Sequence, residues 1–215
     1  MLMIFRNLLM GLVVFFLVYL SFLSRSEWVP MHAWNRAFAD VSFLLLVLTL
    51  IIGPLSKIHR HFYRYLSWRR ELGIWCAATA ILHVYVLFNG WFQWQPIRLI
   101  IGVNQDSGRL TFDPGFTLAN ILGFIGLSYV LLLALISNKH ALNFLGKAAW
   151  DYLQQKSHIL YVLVITHTTF FLFLFRIESE NWLEIPFIVI VCLIFIIQWL
   201  AFFKTVYKNK LYKED

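Results

Sequence analysis

The sequence predicts an all-α integral membrane protein, one bundle of six transmembrane helices with both termini on the cytoplasmic side. Three observations carry this. Of the 215 residues, 60% are hydrophobic and only 13% are charged, which is too apolar for a soluble domain of ordinary composition. Six apolar runs, near residues 7–23, 37–55, 72–91, 116–136, 157–176 and 183–203, each reach the length that crosses a bilayer. A backbone in lipid must satisfy its own polar groups, so each run is expected to be helical. Lastly, thirteen lysines and arginines fall on the side of the termini, against five on the other side, namely Arg25, Arg36, Arg98, Arg109 and Arg176. That bias places the basic loops in the cytoplasm of a bacterial inner membrane. It also accounts for the net charge of +7 without a nucleic-acid partner.

The first run follows a single basic residue, Arg6, but Phe22-Leu23-Ser24-Arg25 lacks the small-x-small pattern of a cleavage site, so it reads as a retained helix. The second run ends at Gly53-Pro54-Leu55, and the basic segment from Lys57 to Arg70 follows it. The third run, 72–91, holds His83 about halfway along. Residues 93–115 form the longest outer segment, with an interfacial stretch at Pro96–Gly102 and a turn at Asp106-Ser107-Gly108. The fourth run, 116–136, follows that segment. A basic inner loop leads to the fifth, which carries His158 and His167, and the sixth leads to a short basic tail. Trp28, Trp34, Trp91, Trp94 and Trp182 mark the outer interface. There is no G-x-G-x-x-G and no soluble segment long enough to hold a nucleotide, so NAD(P)H chemistry would belong to another chain.

An ionisable side chain at the middle of a membrane span costs several kcal/mol unless something binds it. Counting 1.5 Å per residue from the inner ends, His83 lies ~16 Å and His167 ~15 Å into a ~30 Å hydrocarbon layer. Two helices running in the same direction thus present imidazoles at matching depth. The most economical object to join them is a heme iron. Cys76 and Cys192 both lie in apolar runs and neither sits in C-x-x-C-H, so the heme is expected to be b-type, with His83 and His167 as its axial ligands. Gly73, Cys76 and Ala80 fall within roughly 80° of the direction of His83 on a helix, a shallow face suited to a macrocycle; small residues in lipid also serve plain helix packing. His158 is nine residues from His167, half a turn out of phase. It is a candidate for a second heme ligand or a propionate contact, or else an interfacial residue. His32, His59, His61 and His140 read as solvated.

Gly53-Pro54-Leu55, Arg69-Arg70-x-Leu72-Gly73 followed by His83, and Ser137 with Leu145-Gly146-Lys147-x-x-Trp150 and then His167 together resemble the ferric-reductase-like transmembrane family. Within it the chain looks like the heme-binding membrane subunits of bacterial protein-methionine-sulfoxide reductase systems. Relatives carry a further histidine where this chain has Gln154, and a tyrosine where it has His158. The resemblance implies a six-helix electron relay rather than a stand-alone enzyme. Its donor would be an inner flavin such as FMN, a quinone or a flavin reductase. Its acceptor would be an outer protein, a periplasmic methionine-sulfoxide reductase or, in other relatives, ferric iron. Arg69, Arg70 and His158 are inner candidates to meet heme carboxylates, and Arg98, Arg109 and Arg176 outer ones. Two alternatives stay open: a proton-relay transporter, for which the acids Asp40, Asp151 and Glu184 stand near span ends, and a structural subunit with no cofactor.

Overall fold

The six expected spans are six helices in the structure, a computed structural model that describes residues 2–103, 110–175 and 181–214, with side chains placed for 5–102, 111–175 and 181–207. Arg109, Arg176 and the turn expected at 106–108 lie outside the described residues. In chain order the helices are α1 (Leu2–Leu23), α2 (Pro30–Ile58), α3 (Arg69–Leu87), α4 (Pro114–Leu135), α5 (Lys139–Gln155), α6 (Ser157–Thr169) and α7 (Glu184–Glu214). Two three-residue strands, β1 (Ile101–Val103) and β2 (Leu110–Phe112), pair antiparallel with Ile101 opposite Phe112. The bundle therefore has two distinguishable ends. One carries this hairpin and the starts of α2, α4 and α7, and is called the hairpin end below; the other carries α5 and the basic 3₁₀ segment Arg60–Trp68.

Several boundaries differ from those expected, each for a local reason. Helix α2 begins at Pro30, seven residues before the apolar run, because a proline in the first turn has no N–H to leave unpaired. It then runs through Pro54 to Ile58 instead of stopping at Leu55; Ser56 Oγ donates to the Gly53 carbonyl at 2.7 Å and the His59 N–H caps Leu55. The segment 139–155, expected as a loop, is helical. Asn138 caps it by accepting from the Ala141 N–H at 2.9 Å, and the helix is broken at Gly146, whose φ of 73° a residue with a Cβ rarely adopts. At the start of α4, Asp113 accepts from the N–H groups of Gly115 and Phe116 at 2.8 and 3.0 Å, with Pro114 in the first turn.

The buried core is built on α2, which contributes Ala37, Val41, Leu45 and Leu50 and packs on α1, α3 and α7. Leu160 of α6 and Ile194 of α7 are almost fully covered, whereas Phe15, Leu135 and Ile185 stand on the outside, as lipid-facing residues do. Both histidine-bearing helices end in a widened π-turn, Phe88–Phe92 after α3 and Phe170–Leu174 after α6. Such turns recur at functional sites because they re-aim side chains and free a carbonyl.

Candidate functional site

The site starts with two imidazoles whose tautomers are fixed by what they touch. His83 on α3 has its Nδ1 3.1 Å from the backbone oxygen of Asn35 on α2, and His167 on α6 has its Nδ1 2.8 Å from the backbone oxygen of Ala119 on α4. A carbonyl only accepts, so Nδ1 carries the proton and donates in both rings, and each neutral imidazole keeps its lone pair on Nε2. Outer partners of this kind hold a metal-binding imidazole in orientation and tautomer.

Each bond has a local cause. Asn35 returns a second bond, its Nδ2 donating to the His83 carbonyl at 3.1 Å, so α2 and α3 are clamped at the histidine itself. On the other side the ring of His167 lies over Gly123. A Cβ at position 123 would stand 2.5 Å from both Cε1 and Nδ1 of that ring, closer than real Cβ atoms approach. The missing side chain is what lets the imidazole reach the Ala119 carbonyl one turn earlier.

Both rings line one cavity of about 520 Å³, within the range of roughly 300–1,000 Å³ that cofactor sites occupy. It extends from Cys76 and Leu160 at mid-bundle to Trp91, Arg98 and Phe175 at the hairpin end. Its walls are mostly aliphatic and aromatic; Phe116, Phe171 and Phe175 form an edge-to-face cluster beside His167. The charged residues on its wall gather toward the hairpin end: Arg36, Asp40, Arg98 and Asp113. Asp40 is bound by Arg25 at 2.6 Å and by Ser21 Oγ at 2.9 Å, and Asp113 is occupied in capping α4. Arg36 donates one bond, from Nη2 to the Phe171 carbonyl in the π-turn after α6, and Arg98 donates to Gln95 and to the Trp91 carbonyl. With five donors on each guanidinium, Arg36 and Arg98 hold more N–H groups than these bonds to the described residues use.

The other expected site residues are distributed as follows. Cys76 and Ala80 line the large cavity, Cys76 also exchanging bonds with Ser42. Gly73 does not line it; with Cys76 it lines a separate space of about 50 Å³ toward the basic end, beside Arg69, Ser137 and Gln154. That volume is too small for a macrocycle. His158 is exposed, bonds through Nδ1 to the Gln155 carbonyl, and lines neither cavity. Asp40 stands ten residues into α2 rather than at a span end, since α2 starts earlier than hydropathy indicates. Asn35, Arg36, Ala119 and Gly123 were not singled out in the sequence. Only Pro30, which marks the true start of α2, and the glycine inside an apolar run hint at them.

The donor set fits a heme: two neutral imidazoles with Nε2 lone pairs, flat apolar walls, and arginines to meet carboxylates. The described residues hold no group of three or more His, Cys, Asp or Glu side chains able to bind a bare metal ion. The family model described as Ferric reductase like transmembrane component matches residues 36–165. That segment includes Arg36, Asp40, His83, Ala119 and Gly123 and ends two residues before His167.

Proposed function

The chain belongs to the ferric-reductase-like transmembrane family, and from that premise we propose that it is a membrane electron-transfer subunit holding one heme b between His83 and His167. The observation that carries this reading is the pair of Nδ1–carbonyl bonds, which leave two Nε2 lone pairs on one cavity. When bound, the heme supplies a one-electron ferric/ferrous couple. His83 and His167 would both be ligands of the iron, so the chain would offer no open coordination site for oxygen and its role would be relay rather than oxygen chemistry.

The protein's own residues do the rest. Asn35 and Ala119 hold the imidazoles in one tautomer, and a ligand whose protonation and direction do not change costs little reorganisation when the electron arrives. Phe116, Phe171 and the aliphatic wall exclude water. Arg36 and Arg98, at the hairpin end, are the residues that would hold the carboxylates; Arg69, Arg70 and His158 do not line this cavity. By the charge bias of the loops, that end faces the periplasm of a bacterial inner membrane and the basic end faces the cytoplasm. Electrons would then pass from an inner flavin such as FMN, a quinone or a flavin reductase to an outer acceptor. The outer acceptor is a periplasmic methionine-sulfoxide reductase, as the resemblance implies, with ferric iron the alternative; the Arg-Arg-to-His and Trp-to-His intervals do not choose between them.

The test is a visible spectrum of purified protein made with ample heme. It should show a Soret band and reduced low-spin bands, lost in both His83→Ala and His167→Ala. A colourless wild type would return the chain to the proton-relay or structural readings.

A further inference from the structure

Three charged side chains, Arg25 in the turn after α1 and Arg36 and Asp40 on the first part of α2, gather at the hairpin end, and nothing in the holding of the two imidazoles requires them. Buried charges in a membrane protein are costly and mark function by default. Arg25 is 1% exposed and Asp40 11%. Arg25 is held by the Asp40 carboxylate, by the Ser21 carbonyl and hydroxyl, by Asn181 Oδ1 at 3.3 Å, and near the rings of Trp28 and Trp182, while its buried Nε meets no hydrogen-bond acceptor among the described residues. Arg36 lies one helical turn before Asp40 on α2, and both line the heme-sized cavity. The cluster thus sums to one positive charge. Asp40 cancels Arg25, and the charge of Arg36 is left facing the cavity.

We propose that Asp40 is a positioning residue for charge: its carboxylate, on the cavity wall, neutralises the buried guanidinium of Arg25, which does not itself line the cavity, and so sets the reduction potential of the heme held by His83 and His167. This rests on the heme reading. The physics is direct. Reduction of the iron by one electron lowers the charge in the cavity by one, so an added positive charge on the wall favours the reduced form, and a removed one favours the oxidised form. In a site shielded from solvent such an effect is screened little. Arg98 and Asp113, the other charged groups on the wall, are unchanged in these comparisons.

The experiment is a spectroelectrochemical titration of the full chain in lipid nanodiscs, comparing wild type with Asp40→Asn, Asp40→Glu and Arg36→Gln. Asp40→Asn keeps an oxygen for Arg25 and Ser21 but adds a net positive charge. It should raise the reduced-to-oxidised ratio at fixed potential on the order of tenfold, equivalent to a midpoint about 59 mV higher for a one-electron couple. Asp40→Glu should stay close to wild type, and Arg36→Gln should move the midpoint down. Unchanged midpoints, or shifts of the same sign in Asp40→Asn and Arg36→Gln, overturn the proposal. If Asp40→Asn does not accumulate as folded protein, Arg36→Gln against Arg36→Lys decides it: Gln must lower the midpoint and Lys must hold it. A wild type without a Soret band fails the heme reading before any titration begins and takes this inference with it. A normal Soret band with immobile midpoints fails this inference alone.

Discussion

Replacing Gly123 by alanine should break the bond that orients His167. The new methyl would stand 2.5 Å from Cε1 and Nδ1 of the ring, whereas ordinary contacts begin near 3.4 Å. The imidazole must therefore retreat by about 1 Å, and its Nδ1–H, now 2.8 Å from the Ala119 oxygen, leaves hydrogen-bond range. An unsatisfied buried donor costs about 1–3 kcal/mol, which agrees with the roughly 10–100-fold loss of affinity when the outer partner of a metal ligand is removed. The assay is titration of heme into purified, heme-depleted protein, with the Soret band as signal. Gly73→Ala is the control: an added methyl meets nothing within 4 Å beyond its chain neighbours and its own helix backbone, and Gly73 lines the small cavity, so heme affinity should be unchanged. Wild-type affinity and an unaltered low-spin spectrum in Gly123→Ala would refute the claim that this glycine makes room for the ring.

Two further outcomes follow from the helices around the site. Arg25→Met leaves the Asp40 carboxylate buried without its ion pair, and loss of one partner of such a pair costs about 3–5 kcal/mol; the thermal midpoint should fall, and the double variant Arg25→Met/Asp40→Asn should recover part of the loss. Gly146→Ala forces a Cβ into a backbone with φ 73° and ψ 157°, a region close to glycine-only that costs about 1–3 kcal/mol. The readout is thermal unfolding, with the Soret band unchanged because α5 lies outside the cavity wall.

The hydrophobic runs alone disclose the six crossings, since length and apolarity are what a bilayer demands, and the pair His83 and His167 follows from depth counted along α3 and α6. What orients those rings was not legible. Each bond joins a histidine to a backbone oxygen 48 residues away on another helix, and a carbonyl leaves no residue-type signature. Hydropathy placed the start of α2 at Ala37 because His32, Asn35 and Arg36 interrupt the apolar pattern. Those residues are tolerated inside a helix because a cavity, a carbonyl and a stacked Trp91 receive them. By hydropathy Asp40 therefore falls near a span end, whereas it stands ten residues into α2. Gly123 differs from Gly126, three residues on, only in what lies against it.

The two orienting bonds divide between two helical hairpins: α2 with α3 holds one ring, and α4 with α6 holds the other. Neither hairpin alone owns a complete binding site, so a ligand gripped from both sides acts as a crosslink between the halves of the molecule. Its binding energy becomes cohesion of the fold. Resistance to unfolding should climb with free ligand concentration as RT ln(1 + [L]/Kd), about 2.7 kcal/mol at a hundredfold excess over Kd, and the seam between α3 and α4 should be the first to part when the ligand is withdrawn.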